Sequence, residues 1–335
     1  MMFEKIKNPM LFQGSLKKKD YFEGWYFKNV STDAKNVISL IPGISLFKED
    51  KHCFIQYIWV SIDASGKKTT KTGYQRYPLE DFQVNKNPFL IQIGNNYFSK
   101  SHIEIDMDDS HTQLKGSLHM TELTPLQRNI FMPNIMGYFA YVPGMECYHG
   151  IPSMTHRLSG SLVADGKEIP FDDGKGYLEK DWGTSFPKGY VWIQCNNFQN
   201  DTLSLFCSAA NIPFGRNSFN GFICNLRLEG KEHRFATYNG SRLVVESVDE
   251  DHVTLQIKGK RTSLLIEAFP EQSGALVAPV KGEMTKTIKE GLSGVVKIAL
   301  HDRNGLVLHE DSGIMAGIEI VGDYTSLMNP PSPES

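Results

Sequence analysis

The chain of 335 residues carries 38 acidic and 35 basic side chains, which gives a formal net charge of −3. With 40% apolar and 22% charged residues, it has the composition of a globular protein long enough for two ordinary domains. This balance argues against a nucleic-acid-binding protein, which would need a basic face. No apolar run reaches the ~20 residues of a membrane-spanning helix.

The cysteines and the N-terminal residues predict a reducing, cytoplasmic location. Five cysteines without short regular spacing fit neither a disulfide framework nor a CxxC metal site. Cys53, Cys195 and Cys224 fall within apolar strand patterns, where a thiol is usually a small core residue. The start MMFEKIKNPMLF lacks the features of signal and transit peptides. The lysines at 17–19 and 67–68 are most simply solvated turns, and peripheral membrane contact stays open as an alternative.

Aromatic and β-branched residues dominate residues 20–62, in the segments DYFEGWYFKNV, VISLIPGISLF and CFIQYIWVSI. Turn residues separate these segments, so we predict three strands, with a hairpin turn at residues 63–66 after the third. In the first strand Glu23 and Trp25 share a face. The carboxylate of Glu23 is then either a rim residue or a buried acid.

The segment HIEIDM at 102–107 alternates apolar and polar residues and predicts a strand with one buried face. His102, His111 and His119 lie with the polar residues, and no second set of donors at metal-ligand spacing accompanies them. We therefore interpret them as surface histidines.

Residues 124–160 are less regular. The segment PLQRN at 125–129 predicts one helical turn. Glu146, Tyr148, His149 and His156 follow among Gly and Pro breakers. This stretch is either a loop over a barrel mouth or a bent strand. A proton-transfer or hydrogen-bonding role for His149 stands beside the alternative of a structural imidazole.

The stretch GYLEKDWGTSFPKGYVWIQCNNF at 176–198 predicts two strands joined by a Gly/Pro turn at 183–189. Side chains two apart share a face, so the first strand places Tyr177, Glu179 and Asp181 together. The second strand opposes an apolar face to one with two aromatics and two amides, formed by Tyr190, Trp192, Gln194 and Asn196. Such a face indicates the lining of a cavity for an apolar ligand. Ordinary satisfied residues of a sheet interior are the alternative.

Short strands with turn signals recur from residue 202 onward, and only residues 285–291 have helical character. The fold class predicted is all-β, with two antiparallel β-barrel domains and little helix. We expect an N-terminal domain at 1–172, a C-terminal domain at 173–325 and a flexible Pro/Ser-rich tail at 326–335.

Motifs of common enzyme classes are absent from the sequence. It contains no phosphate-binding loop, no GxSxG elbow and no HExxH motif, which argues against a nucleotide enzyme or a serine hydrolase. Histidines and cysteines lack ligand spacing, so we predict no metal site.

The chain resembles the tocopherol cyclase family. The similarity lies in YFEGWYFK at 21–28, GYLEKDWGTSFPKGYVWIQCNNF at 176–198 and HEDSGIMAGIEIVG at 309–322, with a weaker match in APVKGEMTKTIKEGLSG at 278–294. The resemblance implies two lipocalin-like barrels, because the family is related to lipocalin-like carotenoid hydratases. It also implies closure of a chromanol ring, in which the phenol oxygen of a prenylated hydroquinone adds across an alkene of its own tail.

Carried over by position, eight residues fall within the family motifs: Glu23, Trp25, Tyr177, Glu179, Trp182, Trp192, Gln194 and Asn196. The candidate catalytic residues are Glu179, Asp181, Glu23 and His149, and Glu146 lies where a further family carboxylate is expected. The plant sequences have Asn where this chain has Asp181, and this departure favours Glu179 as the essential acid. The absence of a plastid transit peptide indicates a bacterial protein.

This chemistry suits the residues. Protonating an alkene needs an acid kept neutral, and burial close to a second carboxylate raises a carboxyl pKa. Glu179 is the predicted acid, with Asp181 or Glu146 raising its pKa and with Tyr177, Trp192 and Gln194 lining the cavity. Aromatic faces stabilise cationic character, a role for Trp25, Trp182 and Trp192, although alternation turns Trp182 away from Glu179.

Gln194, Asn196 or His149 would hold the hydroquinone hydroxyl or accept its proton. Tyr148 completes the predicted substrate-binding set. No cofactor is expected, because the reaction is an isomerisation. Two alternatives stay open: a non-enzymatic carrier of an apolar ligand, and a hydratase or pericyclic cyclase acting on a related substrate. The oligomeric state is not predicted.

Overall fold

The structure, a computed structural model, describes residues 2–48, 50–214, 217–322 and 327. Almost all regular structure in this part of the chain is β-strand, which confirms the all-β prediction. The first twelve strands are β1 (Phe22–Val30), β2 (Asn36–Phe47), β3 (Asp50–Ile62), β4 (Lys68–Pro78), β5 (Phe82–Lys86), β6 (Phe89–Ile93), β7 (Asn96–Ser99), β8 (His102–Asp108), β9 (Gln113–Met120), β10 (Cys147–Ala164), β11 (Lys167–Pro170) and β12 (Lys175–Gly183).

The remaining strands are β13 (Tyr190–Cys195), β14 (Ser204–Phe214), β15 (Asn217–Leu228), β16 (Lys231–Ala236), β17 (Arg242–Val248), β18 (Val253–Lys258), β19 (Thr262–Phe269), β20 (Ser273–Val280), β21 (Glu283–Asp302) and β22 (Val307–Val321). One short α-helix, α1 (Met2–Lys7), precedes them within the described residues. Single 3-10 turns cover Leu79–Asp81, Gly137–Tyr141 and Thr237–Asn239.

The strands form two antiparallel sheets. The first has twelve strands in the order β4-β3-β2-β1-β12-β10-β9-β8-β7-β6-β5, with β11 paired to β10. The second has ten strands in the order β16-β15-β14-β13-β22-β21-β19-β18-β17, with β20 paired to β21. Strand β12 therefore joins β1 near the start of the chain to β10, about 120 residues further along.

The chain folds as two compact units. Unit 1 consists of residues Met1–Phe186 and Gly274–Thr287, and unit 2 of Pro187–Ser273 and Ile288–Ser335. The expected domain boundary near residue 172 lies before β12, whereas these units divide after Phe186, because β12 pairs with β1 and β10 of the first sheet. The expected tail at 326–335 lies outside the described residues apart from Leu327.

Each unit has its own apolar core. The core of unit 1 is rich in aromatic side chains and includes Trp25, Phe27 and Trp182. The core of unit 2 is built from smaller side chains, among them Val191, Ile193 and Cys195, as the alternation of β13 predicts. Cys53, Cys195 and Cys224 are fully buried free thiols, so the prediction of small core residues is confirmed.

Two helical predictions are wrong. Residues 125–129 are irregular, and residues 285–291 belong to strand β21. In β21 the exposed side chains Thr285, Thr287 and Lys289 alternate with more buried ones, so the polar residues follow a period of two rather than a helical period. Helix α1 was not predicted, because six residues are too few to show helical periodicity.

The interpretation of residues 176–198 as two strands is confirmed, but the strands do not pair with each other. Strand β12 lies in the 12-stranded sheet and β13 in the 10-stranded sheet. Alternation along one strand is visible in a sequence, whereas the choice of partner strand depends on distant segments.

Within the described residues, no helix combines the length and hydropathy needed to cross a bilayer.

Candidate functional site

Strand β12 has two chemically different faces. Alternation places Leu178 and Trp182 toward the core of unit 1, with Lys180 between them. The face turned away from that core carries the three predicted residues Tyr177, Glu179 and Asp181. Tyr177 and Glu179 are buried, while the side chain of Asp181 is 23% exposed.

Strand β10 adds a histidine to this second face. Its register sets His149 directly opposite Asp181, and the imidazole Nδ1 lies 2.6 Å from Asp181 Oδ1. The other ring nitrogen, Nε2, lies 3.6 Å from Glu179 Oε2. The imidazole thus bridges two carboxylates contributed by one strand.

Tyr177 extends this arrangement along β12. Its hydroxyl donates a hydrogen bond of 2.5 Å to Glu179 Oε2, the same oxygen that faces the imidazole. We call Tyr177, Glu179, Asp181 and His149 the His149 cluster. It forms a continuous path of polar atoms from a phenol through a carboxylate and an imidazole to a second carboxylate.

A glycine ends β12 beside the cluster. Gly183 has φ of 153°, and a Cβ atom built there would lie 2.1 Å from the carbonyl oxygen of Glu146. Only a residue without a side chain allows the start of β10 and the end of β12 to approach this closely. This close approach keeps the Cys147–Gly183 pairing next to His149 and Asp181.

The electrostatics favour a charged imidazole. Burial alone would lower the pKa of His149, but the carboxylates of Asp181 and Glu179 outweigh it and raise the pKa to about 9. Burial, followed by the charge of Glu179, raises the pKa of Tyr177 well above its usual value. Burial and Asp181 likewise raise the pKa of the neighbouring Cys147 thiol. At neutral pH the imidazole is therefore protonated, while the phenol and the thiol are neutral.

The donor set also resembles a metal site. One ligand atom each from His149, Glu179 and Asp181 lies within 4.8 Å of the others. Sequence spacing did not show this triad, because its members come from two strands that are distant in the chain. A cation bound to either ring nitrogen would displace the proton from that nitrogen, so metal binding and the imidazolium form of His149 exclude each other.

Glu23 lies on the opposite face of the sheet. Its carboxylate is fully buried and accepts hydrogen bonds from the backbone N–H of Gln13 (2.7 Å) and Gly14 (2.9 Å), and from the hydroxyl of Tyr21 (2.5 Å). It also forms an ion pair with Lys180, which sequence reasoning missed. Of the two alternatives for Glu23, the buried acid is correct and the rim residue is wrong.

Lys180 completes the polar arrangement inside unit 1. Its ammonium lies 4.3 Å from the ring centre of Trp25 and 5.2 Å from that of Trp182, and it donates to the carbonyl of Leu11. Burial lowers its pKa to about 8 against the opposing charge of Glu23. The indole of Trp25 donates to the carbonyl of Met10. These contacts tie residues 10–14 to the interior.

Three further residues of unit 1 were predicted to belong to the site: Trp182, Tyr148 and Glu146. Trp182 faces away from Glu179, as alternation predicts, and stacks on Tyr148 at 5.7 Å with an interplanar angle of 6°. The Tyr148 hydroxyl donates to the carbonyl of Val142 at 2.7 Å. Glu146 is exposed, and its backbone carbonyl accepts from the N–H of Thr184 at 2.7 Å.

Three predicted residues, Trp192, Gln194 and Asn196, belong to unit 2. Trp192 and Gln194 lie on the face of β13 opposite the unit 2 core, and Gln194 donates at 3.4 Å to Asn196, which directly follows the strand. Sequence reasoning missed Glu319 of β22, which pairs with Trp192 across the strands and accepts a hydrogen bond from Tyr190. All of these side chains are buried.

Known sequences include a family model and several relatives that match this chain. The family model of the Tocopherol cyclase-like proteins matches residues 131–322. The probable chloroplastic tocopherol cyclase of Oryza sativa subsp. japonica is 24% identical over 367 aligned positions, which cover 91% of this chain and 76% of that protein. The chloroplastic tocopherol cyclase of Zea mays is 25% identical over 198 positions, or 56% of this chain and 41% of that one.

Comparison with solved structures supports the fold. CghA in complex with Sch210972 has a TM-score of 0.57 at 11% identity, over 90% of this chain and 89% of CghA. Kievitone hydratase from Nectria haematococca gives 0.51 at 10% identity, with the same coverage of both chains. An AttH protein from Nitrosomonas europaea gives 0.52 at 16% identity, over 89% of this chain and 92% of that one. At these identities the likeness confirms the lipocalin-like fold and nothing finer.

The family match includes both strands that carry the His149 cluster and extends to the end of β22, whereas it leaves out Glu23 and Trp25. Because it spans more than half of the 335 residues, the chain belongs to the Tocopherol cyclase-like family.

Proposed function

We propose that the protein is a cofactor-independent cyclase of a prenylated hydroquinone or a related isoprenoid, and that the His149 cluster moves the proton. The observation that carries the proposal is the imidazole of His149, which bridges Asp181 at 2.6 Å and Glu179 at 3.6 Å. Membership of the Tocopherol cyclase-like family supports a cyclase-type reaction on a small molecule.

The reaction needs one proton given and one taken back. A proton adds to one alkene carbon, the phenol oxygen forms a bond to the other carbon, and the phenol O–H proton returns to the protein. The product is an isomer of the substrate, so no oxidant or reductant is consumed. A cluster with one mobile proton and several acceptor oxygens is suited to both transfers.

The charge state divides the roles within the cluster. His149 is the proton reservoir, because its pKa of about 9 keeps it protonated at neutral pH. Transfer of the proton from Nε2 to Glu179 is uphill, because an imidazolium is a weaker acid than a neutral carboxyl group, and the carboxyl group so formed then protonates the alkene. Asp181 holds Nδ1 and stabilises the charge, and the phenol proton restores the imidazolium.

Access supports this assignment of roles. The side chains of His149 and Asp181 are 12% and 23% exposed, so a substrate atom can approach them. Two aromatic side chains on this face of unit 1 lie next to Glu179: Tyr177, whose hydroxyl donates to it, and Tyr26, which lies opposite it in the register. Their ring faces would stabilise cationic character at the alkene. The amide and indole groups of Trp192, Gln194 and Asn196 in unit 2 stay predicted substrate contacts.

The test replaces Glu179 by Gln, which keeps shape and hydrogen bonding but loses the transferable proton. Chromanol formation from a prenylated hydroquinone should slow by about 10²–10⁴-fold, with folding nearly intact. Glu104→Gln, at an exposed carboxylate of β8, is the matched control and should keep the parental rate. Asp181→Asn should have a milder effect, because the amide oxygen still accepts from His149.

Two results would redirect the proposal. Parental turnover by Glu179→Gln would remove Glu179 as the acid. If the parent binds the quinol without converting it, the carrier alternative is favoured. A product heavier than the substrate by one water molecule would favour a hydratase.

A further inference from the structure

Unit 1 exposes a group of large apolar side chains next to helix α1. We call Phe3, Ile130, Phe131 and Tyr138 the apolar cap. Phe131 is 77% exposed and Ile130 69%, and Phe3 and Tyr138 are also exposed. Singly exposed apolar residues are common, but grouped ones mark a surface that binds another molecule or a membrane.

Specific contacts hold the cap in place. The ring centres of Phe3 and Tyr141 are 6.4 Å apart, and the Tyr141 hydroxyl donates to the carbonyl of Ile130 at 2.9 Å. The side-chain amide of Asn134 donates to the carbonyl of Ile6 at 2.9 Å. Helix α1 and residues 128–141 therefore present the cap together, as a folded part of the surface.

A cavity opens beside the cap. It has a volume of about 430 Å³, and its lining includes apolar side chains such as Met10, Leu126 and Ile135. Lys7, Lys100 and Arg128 also line it, against the single carboxylate of Glu122 among the described lining residues. The cap thus borders a surface with an excess of positive charge and an apolar interior.

We propose that the apolar cap and this basic rim dock on an anionic lipid bilayer. Aromatic and aliphatic side chains of the cap enter the boundary between headgroups and acyl chains, while the three cations meet lipid phosphates. The cavity then opens toward the membrane and admits a lipid tail. The apolar cap and the basic rim together indicate a bilayer, because an apolar cap alone would not distinguish a bilayer from a second protein.

The three cations favour an anionic bilayer over a second copy of the chain. A second copy of this chain would set the same three cations against each other, since a two-fold contact brings a patch against itself. An anionic bilayer offers opposite charge and an apolar layer at the depth that the cap can reach. The inference does not depend on the proposed function, because docking needs no turnover.

The test is sedimentation of the full-length protein with vesicles of phosphatidylglycerol and phosphatidylcholine, and with vesicles of phosphatidylcholine alone. The parent should bind the anionic vesicles and release them as salt is raised. The double variant I130S/F131S should bind at least about tenfold more weakly than the parent, because two exposed apolar anchors are lost. Lys7→Glu combined with Lys100→Glu should abolish the preference for anionic lipid.

Leu306→Ser is the matched control, since Leu306 is 67% exposed but lies in unit 2. It should bind vesicles as the parent does. Circular dichroism checks that each variant is folded. Absence of parental binding at low salt, or unchanged binding by I130S/F131S, would overturn the proposal. It would also be overturned if the parent self-associates through the cap and the double variant becomes monomeric without any effect of lipid.

Discussion

The two faces of strand β12 both bury carboxylates next to a cationic side chain, yet they differ in how completely the polar groups are enclosed. Glu23 and Lys180 have fully buried side chains, and Glu23 accepts from two backbone N–H groups and a tyrosine besides its ion pair. In the His149 cluster, Nε2 and Glu179 are 3.6 Å apart, which is longer than a direct hydrogen bond, and Asp181 is partly exposed.

The degree of enclosure distinguishes a carboxylate that stabilises a fold from one that can exchange a proton. A carboxylate enclosed by fixed donors holds its proton state and its position, so it stabilises a fold. A carboxylate next to a partly accessible imidazole can exchange a proton with a ligand. Glu23 was predicted as a catalytic residue from its place in a family motif, and that role stays a prediction; in the structure its contacts hold residues 10–14.

Among the variants that distinguish the two faces of β12, those at Glu23 should have the largest effect on stability. Glu23→Gln leaves the Lys180 charge buried without its partner and should lower the free energy of unfolding by about 3–5 kcal/mol. Adding Lys180→Met should restore part of the loss, because both charges are then gone. Urea unfolding of the two variants, with Glu179→Gln as control, measures the contrast. Equal stabilities for Glu23→Gln and Glu179→Gln would contradict it.

The next effect concerns the charge on His149. Its pKa of about 9 in the folded protein lies above the value of about 6.5 in the unfolded chain, so protonation favours folding. The contribution, ~3 kcal/mol, is complete below pH 6.5 and is lost as the pH rises through 9. The measurement is the difference in unfolding free energy between parent and His149→Gln across this range. A ring titration by NMR at or below pH 6.5 would show that the carboxylates do not control the imidazole.

The smallest effect is expected at His156. Its sign is opposite to that of His149, because it lowers stability at acidic pH. His156, on the Lys180 face of β10, is buried, and burial lowers its pKa to about 3. The unfolded chain then takes up the proton first, so stability falls as the pH falls from 6.5 toward 3. By pH 5 this residue should lower the unfolding free energy by about 2 kcal/mol. His156→Gln should remove that share of the acid sensitivity; an unchanged acid profile would contradict the assignment.

Local alternation predicted much of the fold and part of the site. Strands β1, β12 and β13, the shared face of Tyr177, Glu179 and Asp181, and the opposite orientation of Trp182 all follow from side chains two apart. These features depend on neighbouring residues only, which a sequence displays directly.

Features that depend on register could not be predicted in the same way. His149 and Asp181 are 32 residues apart and meet because β10 pairs with β12 across irregular register steps. The partnership of Glu23 with Lys180 crosses from β1 to β12. The polar run at 285–291 looked helical because charged residues in a strand carry no apolar alternation, although their exposure does alternate.

The contact between Lys180 and the carbonyl of Leu11 has a consequence for the order in which unit 1 folds. The two residues are 169 positions apart, so the segment around Leu11 is synthesised well before Lys180, which lies on the last strand of its sheet. Contacts of such high sequence separation form slowly, since a long loop must close before they are rewarded. The twelve-stranded sheet can therefore seal its interior only after β12 has left the ribosome, and its apolar lining needs protection from aggregation until then.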